Sequence, residues 1–194
     1  MEYFQKNRLL KKIAYKFARQ RAEQIFILIE EFLNKKEIIL DIGCGSCNIV
    51  EILNQNNYNV VSLDIKNLSI IDEIKPILYN GTNMPFKENA FDLSIILTVL
   101  HHTDRQDEVI KEAMRVTKKR ILIIEDIYNN IIDKLVTQIV DSLINLEIRG
   151  HPHSNRNDQE WKDYFKNLGL KISKTKYPNR YLVFKPVIYE LEKY

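Results

Sequence analysis

The segment from Ile38 to Cys47, IILDIGCGSC, constrains the fold more than any other part of the chain. A run of apolar residues reaches Asp41, and two glycines, Gly43 and Gly45, follow with one residue between them. Glycine lacks a Cβ, so the backbone there can adopt positive φ and a ligand can approach it closely. The pattern predicts a buried strand, a tight turn and a helix from about Ser46, with a nucleotide-like ligand at the carboxyl end of the strand.

The turn lacks the residues that bind phosphate groups. A dinucleotide fingerprint has Gly or Ala three positions after its second glycine, where this chain has Asn48. A P-loop has Gly-Lys-Ser/Thr, whereas the first lysine after this turn is Lys66. The carboxylate of Asp41 would repel a pyrophosphate and attract a cation. We therefore expect a nucleoside-like ligand that carries positive charge.

Further motifs follow the next predicted strands. Asp64 ends an apolar strand over residues 60–64, where a carboxylate can accept hydrogen bonds from both ribose hydroxyls. Strands are also predicted over 75–79, 93–97 and 121–124, and a C-terminal hairpin over 170–177 and 181–187. The segments beside these strands are Met84-Pro85-Phe86, Phe91-Asp92, Thr98 to His102 and Arg115-Val116-Thr117.

In these motifs the chain resembles the class I, or seven-stranded, S-adenosylmethionine-dependent methyltransferases, in particular the type 11 methyltransferase domain group. Its DIGCGSC is similar to that family's acid-x-Gly-x-Gly-x-Gly motif, with Cys47 at the third glycine, a position that chiefly allows close packing of helix and strand. The resemblance covers about residues 37–187. It implies an α/β fold with a doubly wound, mostly parallel seven-stranded sheet, helices on both faces and a C-terminal antiparallel hairpin.

The resemblance also implies that S-adenosylmethionine is the methyl donor. It assigns Asp64 to the ribose and Ile65 to the adenine, and it places Asn80 where the family has an acid that accepts a bond from the adenine amine; an amide oxygen can accept that bond too. The expected donor-binding residues are Asp41, Gly43, Cys44, Gly45, Asp64, Ile65, Asn80, Gly81, Thr82, Met84 and Thr98.

His102 is the candidate catalytic residue, because the family's Leu-His-His segment faces the methyl group. A histidine with a near-neutral pKa can take a proton from an oxygen or nitrogen nucleophile. The alternative is that His102 only fills space beside the donor. His101 is expected to be structural. His151 and His153 form a pair without a third ligand, so no metal site is predicted.

The two ends of the chain differ in charge. Residues 1–36 contain nine Lys and Arg against four Glu and predict an N-terminal helical cap, whereas residues 37–194 are expected to form the methyltransferase domain. The basic face of the cap is either solvated or a surface for RNA or anionic lipid. Residues 127–148 predict a long amphipathic helix.

The expected function is methyl transfer to an O, N or C nucleophile of a small-molecule acceptor. Two alternatives stay open: a tRNA or protein methyltransferase that uses the basic helix, and a non-catalytic donor-binding subunit, indicated by Asn80 and Cys47. Neither a signal peptide nor a membrane-spanning run is visible, and the two cysteines form no disulfide framework. We expect a cytoplasmic monomer or homodimer without membrane insertion.

Overall fold

The computed structural model describes residues 8–128, 154–179 and 184–193, with side chains from Lys11 onward. The α-helices of this part are α1 (Arg8–Ile29), α2 (Asn48–Gln55), α3 (Gln106–Val116) and α4 (Asp158–Asn167). The strands are β1 (Ile38–Ile42), β2 (Asn59–Asp64), β3 (Ile77–Leu78), β4 (Phe91–Leu97), β5 (Thr117–Asp126), β6 (Leu170–Lys176) and β7 (Pro186–Lys193). Single 3-10 turns cover Glu30–Phe32 and Leu100–His102.

The strands form one seven-stranded sheet in the order β3-β2-β1-β4-β5-β7-β6. Strands β1 to β5 run parallel, and β7 lies antiparallel to both β5 and β6. The chain order reverses between β1 and β4, which leaves a crevice beyond the carboxyl ends of the central strands. The predicted fold class is confirmed, including the antiparallel hairpin at the C-terminus.

Helices cover both faces of the sheet. The buried stripes of α3 and α4, including Ala113 and Trp161, pack with Leu40, Ile96 and Ile123 on one face. On the other face, buried residues of α1 and α2 pack with the alternate strand positions; they include Ala22, Ile29, Leu53, Ile95 and Leu122. A parallel strand covered on both sides needs apolar residues at nearly every position, which explains the isoleucine-rich runs.

Several boundaries differ from those predicted; β5, for example, spans Thr117–Asp126 rather than 121–124. The helix after the glycine turn begins at Asn48 rather than near Ser46, because the turn continues through Cys47. The last described strand spans Pro186–Lys193, whereas 181–187 was predicted, of which residues 181–183 lie outside the described part. Its apolar segment after Pro186 pairs with β5, and proline is tolerated there because it is the first residue of the strand.

Several expectations fall outside the described residues. They are the long helix over 127–148, most of which lies in 129–153, and the histidines His151 and His153. Within the described part, no helix combines the length and the apolar character that crossing a bilayer requires. The separation into a cap (1–36) and a domain (37–194) stays a prediction, although α1 packs directly on α2.

Candidate active site

The sheet brings the carboxyl ends of three predicted motifs together. In the register of the parallel strands, Ile42 of β1 lies between Leu63 of β2 and Ile96 of β4. The residues that follow these strands are the glycine turn after β1, Asp64 at the end of β2, and Thr98 after β4. Three segments that are separate in the sequence thus share one edge of the sheet, as the topology requires.

The two glycines of the turn differ in their surroundings: Gly43 is in close contact with the protein, and Gly45 is not. The Gly43 amide donates to the Leu63 carbonyl at 2.8 Å, and a Cβ at Gly43 would lie 2.6 Å from Val99 Cγ2. Gly43 also has a φ of 77°, which disfavours other residues. A Cβ at Gly45 would meet nothing within 4 Å. The free space above Gly45 is where a ligand can approach the backbone.

Asp64 is oriented by the turn beside it. Its Oδ2 accepts a hydrogen bond from the Gly45 amide at 2.8 Å, and its Oδ1 accepts one from the Lys66 amide at 3.2 Å. The Cys44 thiol also approaches Oδ2, at 4.0 Å, which leaves at least one of the about four acceptor positions of the carboxylate for a ligand. The buried side chain is therefore held in one orientation at this edge.

Asp41 lies beneath the turn rather than on its open side. Its carboxyl group is buried, and among the described residues Oδ2 has no hydrogen-bond partner. Burial raises the pKa of Asp41 well above its ordinary value, and the nearby Cys47 and Asp64 raise it further. Asp41 is therefore harder to ionise than an exposed aspartate.

Cys47 occupies a position with a left-handed backbone. Its φ is 62°, it directly precedes α2, and its side chain is buried with Sγ 3.5 Å from Cys44 Sγ. Few residues other than glycine adopt this conformation without strain. A glycine at this position of the motif would therefore avoid backbone strain, in addition to allowing close packing of the helix and the strand.

The residues expected beside the adenine form a turn of their own. Asn80 Oδ1 accepts from the Thr82 amide at 3.0 Å, the Thr82 hydroxyl at 3.1 Å and the Asn83 amide at 2.8 Å. Gly81 has a φ of 85°, and its Cβ position lies 3.5 Å from the exposed Ile65 side chain. Ile65 offers an apolar surface there, whereas three donors already compete for the Asn80 oxygen.

Met84 is part of the core, and its backbone is held by an ion pair. Its amide donates to Glu112 Oε2 at 2.8 Å, and Arg115 donates to the carbonyls of Met84 and Phe86 at 3.0 and 2.8 Å. Arg115 also bonds Glu112 at 2.6 Å. The ion pair of Glu112 and Arg115, which we call the Glu112–Arg115 clamp, therefore fixes the backbone at Met84 and Phe86 and explains why an arginine precedes β5. The Met84 side chain lies among buried residues.

Thr98 is hydrogen-bonded to Arg21, a contact that the sequence motifs did not predict. Thr98 has a φ of 57°, and its hydroxyl accepts a hydrogen bond from Arg21 of α1 at 3.4 Å. The two residues are 77 positions apart, so no local pattern could associate them. Arg21 is the functional candidate that sequence reasoning missed, because its guanidinium can bind a carboxylate at this edge.

The two histidines have different environments. His101 is buried, and its Nδ1 lies 2.6 Å from Glu125 Oε2, while Glu125 Oε1 accepts from the Leu100 amide at 2.8 Å. His102 is half-buried, and its ring centre is 4.0 Å from that of His101. The expected structural role of His101 agrees with this burial. Glu125 holds the 3-10 turn that presents His102.

The segment 154–157 docks beside this turn. Gln106 donates to the Leu100 carbonyl and to the Ser154 hydroxyl, both at 2.6 Å. Arg156 bonds Gln106 and stacks 4.2 Å from the ring centre of Tyr164. The Arg156 side chain is thereby committed to holding this segment in place.

Comparison with solved structures identifies the fold. One similar structure is the magnesium protoporphyrin IX methyltransferase of Synechocystis, solved with bound S-adenosylhomocysteine. It superposes with a TM-score of 0.64 at 15% sequence identity, and the match covers 97% of this chain and 88% of the Synechocystis chain. A methyltransferase of Haloferax volcanii, solved in complex with the activator Trm112, gives 0.65 at 12% identity, with coverage of 92% and 95%. The chain has the class I S-adenosylmethionine-dependent methyltransferase fold.

Sequence comparison agrees with the fold. Residues 40–124, which include the glycine turn, Asp64 and His102, match the profile of a family described as a methyltransferase domain. An uncharacterised protein of Methanocaldococcus jannaschii is 32% identical over 133 residues, covering 65% of this chain and 52% of that protein. The chain spans about half or less of the length of the curated relatives that it matches.

Proposed function

We propose that the chain transfers a methyl group from S-adenosylmethionine to an O, N or C nucleophile of a small-molecule acceptor. The observation that carries the proposal is the pre-oriented Asp64 carboxylate beside the open space over Gly45. A nucleoside there places its ribose hydroxyls on Asp64 and its base along Ile65. The sulfonium donor supplies an electrophilic methyl group, and its positive charge matches the acidic end of β1 at Asp41.

The donor's amino-acid end also finds a partner in this arrangement. Arg21 reaches the end of β4 from α1, and its nearest described partner there is the neutral hydroxyl of Thr98. A guanidinium binds a carboxylate through two parallel hydrogen bonds. We assign Arg21 to the donor's carboxylate, so that Asp64 and Arg21 hold its two ends.

Positioning accounts for most of the expected rate. Aligning a nucleophile with the methyl carbon can lower the barrier by about 7 to 11 kcal/mol, because the loss of translational and rotational freedom has already occurred on binding. A base adds about a hundredfold when the acceptor must lose a proton. His102 is proposed for that role because Glu125 and His101 hold its turn at the same edge.

The test begins with the donor. Titration calorimetry with S-adenosylmethionine and S-adenosylhomocysteine is expected to show one site per chain for each compound. Cell extract incubated with protein and methyl-labelled donor should then yield a labelled metabolite, identified by mass spectrometry. Failure of both compounds to bind would reject the donor assignment. Binding without any labelled product would favour a non-catalytic donor-binding subunit.

A macromolecular acceptor is the second candidate. It is favoured by the exposed lysines of α1. The same labelling experiment separates the two, because the label would then enter tRNA or polypeptide. Substituting Lys12 and Lys16 is the informative change, since Lys11 is bound to Asp72 at 2.5 Å.

A further inference from the structure

The two long faces of α1 differ sharply in their contacts. On the inner face, Tyr15 and Arg19 bond Glu51 of α2 at 3.1 and 2.7 Å, and Ala22 and Ile29 are buried. The outer face carries three large apolar side chains that stay in water: Ile13, Phe17 and Ile27, which are 46%, 70% and 69% exposed. Holding the helix on the protein does not require these three residues.

The exposed apolar residues form one stripe. At 3.6 residues per turn, positions 13, 17 and 27 fall within about 80° of one another around the helix axis, with the polar residues Gln20 and Gln24 between the last two. A single exposed apolar residue is ordinary, but an aligned set on a charged helix indicates a surface that becomes covered. We call Ile13, Phe17 and Ile27, together with Lys12 and Lys16 beside them, the outer face.

The charges of the outer face indicate what covers it. Lys12 and Lys16 are exposed and form no ion pair with a described residue. The acid on the same flank, Glu23, is bound by Arg19 at 2.9 Å. The first 36 residues carry nine cations against four acids. The covering partner is therefore anionic at its surface and apolar immediately beneath.

We propose that the outer face of α1 binds the surface of an anionic lipid bilayer. A helix with an apolar stripe and flanking lysines lies in the plane of the interface, where its apolar side chains enter the boundary between headgroups and acyl chains. Isoleucine side chains favour lipid over RNA, because RNA-binding surfaces use cations and stacking rings, and isoleucine has no stacking face. This inference does not depend on the proposed function.

Sedimentation of the full chain with vesicles tests the inference. We expect binding to vesicles of equal parts phosphatidylcholine and phosphatidylglycerol, little binding to phosphatidylcholine alone, and weaker binding as salt is added. Phe17→Gln with Ile27→Gln should lower the affinity by about tenfold or more, because the inserted apolar surface is lost. Lys12→Glu with Lys16→Glu should lower it by a similar factor.

The matched control is Lys166→Glu with Lys171→Glu, which makes the same change in net charge on α4 and β6 and should leave vesicle binding unchanged. Unaltered S-adenosylhomocysteine binding and thermal unfolding would show that each variant keeps its fold. Four results would overturn the inference: no vesicle binding, equal binding to neutral vesicles, an equal effect of the control pair, or binding to bulk tRNA in place of vesicles.

Discussion

The side of this edge proposed for the donor and the side proposed for the acceptor are built by different kinds of contact. On the donor side, the contacts that shape the two turns join residues close in sequence or at the ends of adjacent strands, such as Asn80 with Thr82 and Gly45 with Asp64. On the acceptor side, Gln106 of α3 bonds Ser154, which lies 48 positions away in the sequence. The contrast teaches that one half of the site is specified by short motifs and the other by tertiary packing.

The largest expected effect tests the donor side directly. Asp64→Ala removes both acceptors proposed for the ribose and the partner of the Gly45 amide, and charge-assisted hydrogen bonds contribute about 1.5 to 3 kcal/mol each. The affinity for S-adenosylhomocysteine should fall by about a thousandfold in calorimetry. Asp72→Ala, which removes an exposed carboxylate bound to Lys11, is the control and should leave the affinity unchanged.

The two glycines of the turn should separate stability from binding. Gly43→Ala forces a Cβ against Val99 at a positive φ and should reduce the free energy of unfolding by about 2 to 4 kcal/mol, measured with denaturant. Gly45→Ala meets no protein atom, so its loss of stability is limited to the strain of a side chain at a φ of 52°, about 1 to 2 kcal/mol. Its main effect should be weaker donor binding. Equal losses of stability in the two variants would contradict this division.

His102 tests the acceptor side. His102→Asn should slow label transfer to an oxygen or nitrogen acceptor by about a hundredfold, while S-adenosylhomocysteine affinity stays the same. The rate is measured on the labelled product found in extract. An unchanged rate with a flat pH profile would assign His102 a packing role beside His101 instead.

Arg21 connects the two sides, and a ligand without a carboxylate isolates its role. Arg21→Gln should weaken S-adenosylhomocysteine binding by about tenfold, because an ion-paired hydrogen bond is lost. The affinity for 5′-methylthioadenosine should not change. Arg19→Gln, which removes the bond to Glu51 instead, is the matched control. Equal weakening of both ligands by Arg21→Gln would contradict the assignment.

The smallest expected effect concerns pH. Burial raises the pKa of Asp41 above its ordinary value, whereas a bound cation favours the ionised carboxylate. Donor binding should therefore release a proton, and the affinity should rise with pH by less than about tenfold per pH unit until Asp41 ionises in the free protein. Calorimetry in buffers of different ionisation enthalpy measures that proton. Asp41→Asn should abolish the release.

Sequence reasoning predicted the fold and the shared edge of the glycine turn and Asp64, because both follow from local patterns. Asp64 and the two glycines lie at strand ends, where the pattern of apolar runs predicts them. Arg21 and the Glu112–Arg115 clamp depend on contacts between separate elements, which spacing along the chain does not encode. The last strand continues beyond the predicted end at 187 because the apolar run after Pro186 pairs with β5.

The left-handed backbone at Cys47 has a consequence for how such turns diverge. A non-glycine residue in this conformation costs about 1 to 2 kcal/mol, while burial of a small apolar side chain contributes about 1 kcal/mol in return. Cys47 is buried against the second thiol of the turn, so the two terms nearly cancel. A lineage can therefore exchange glycine for cysteine here by neutral drift, and a search that demands three glycines will overlook its descendants.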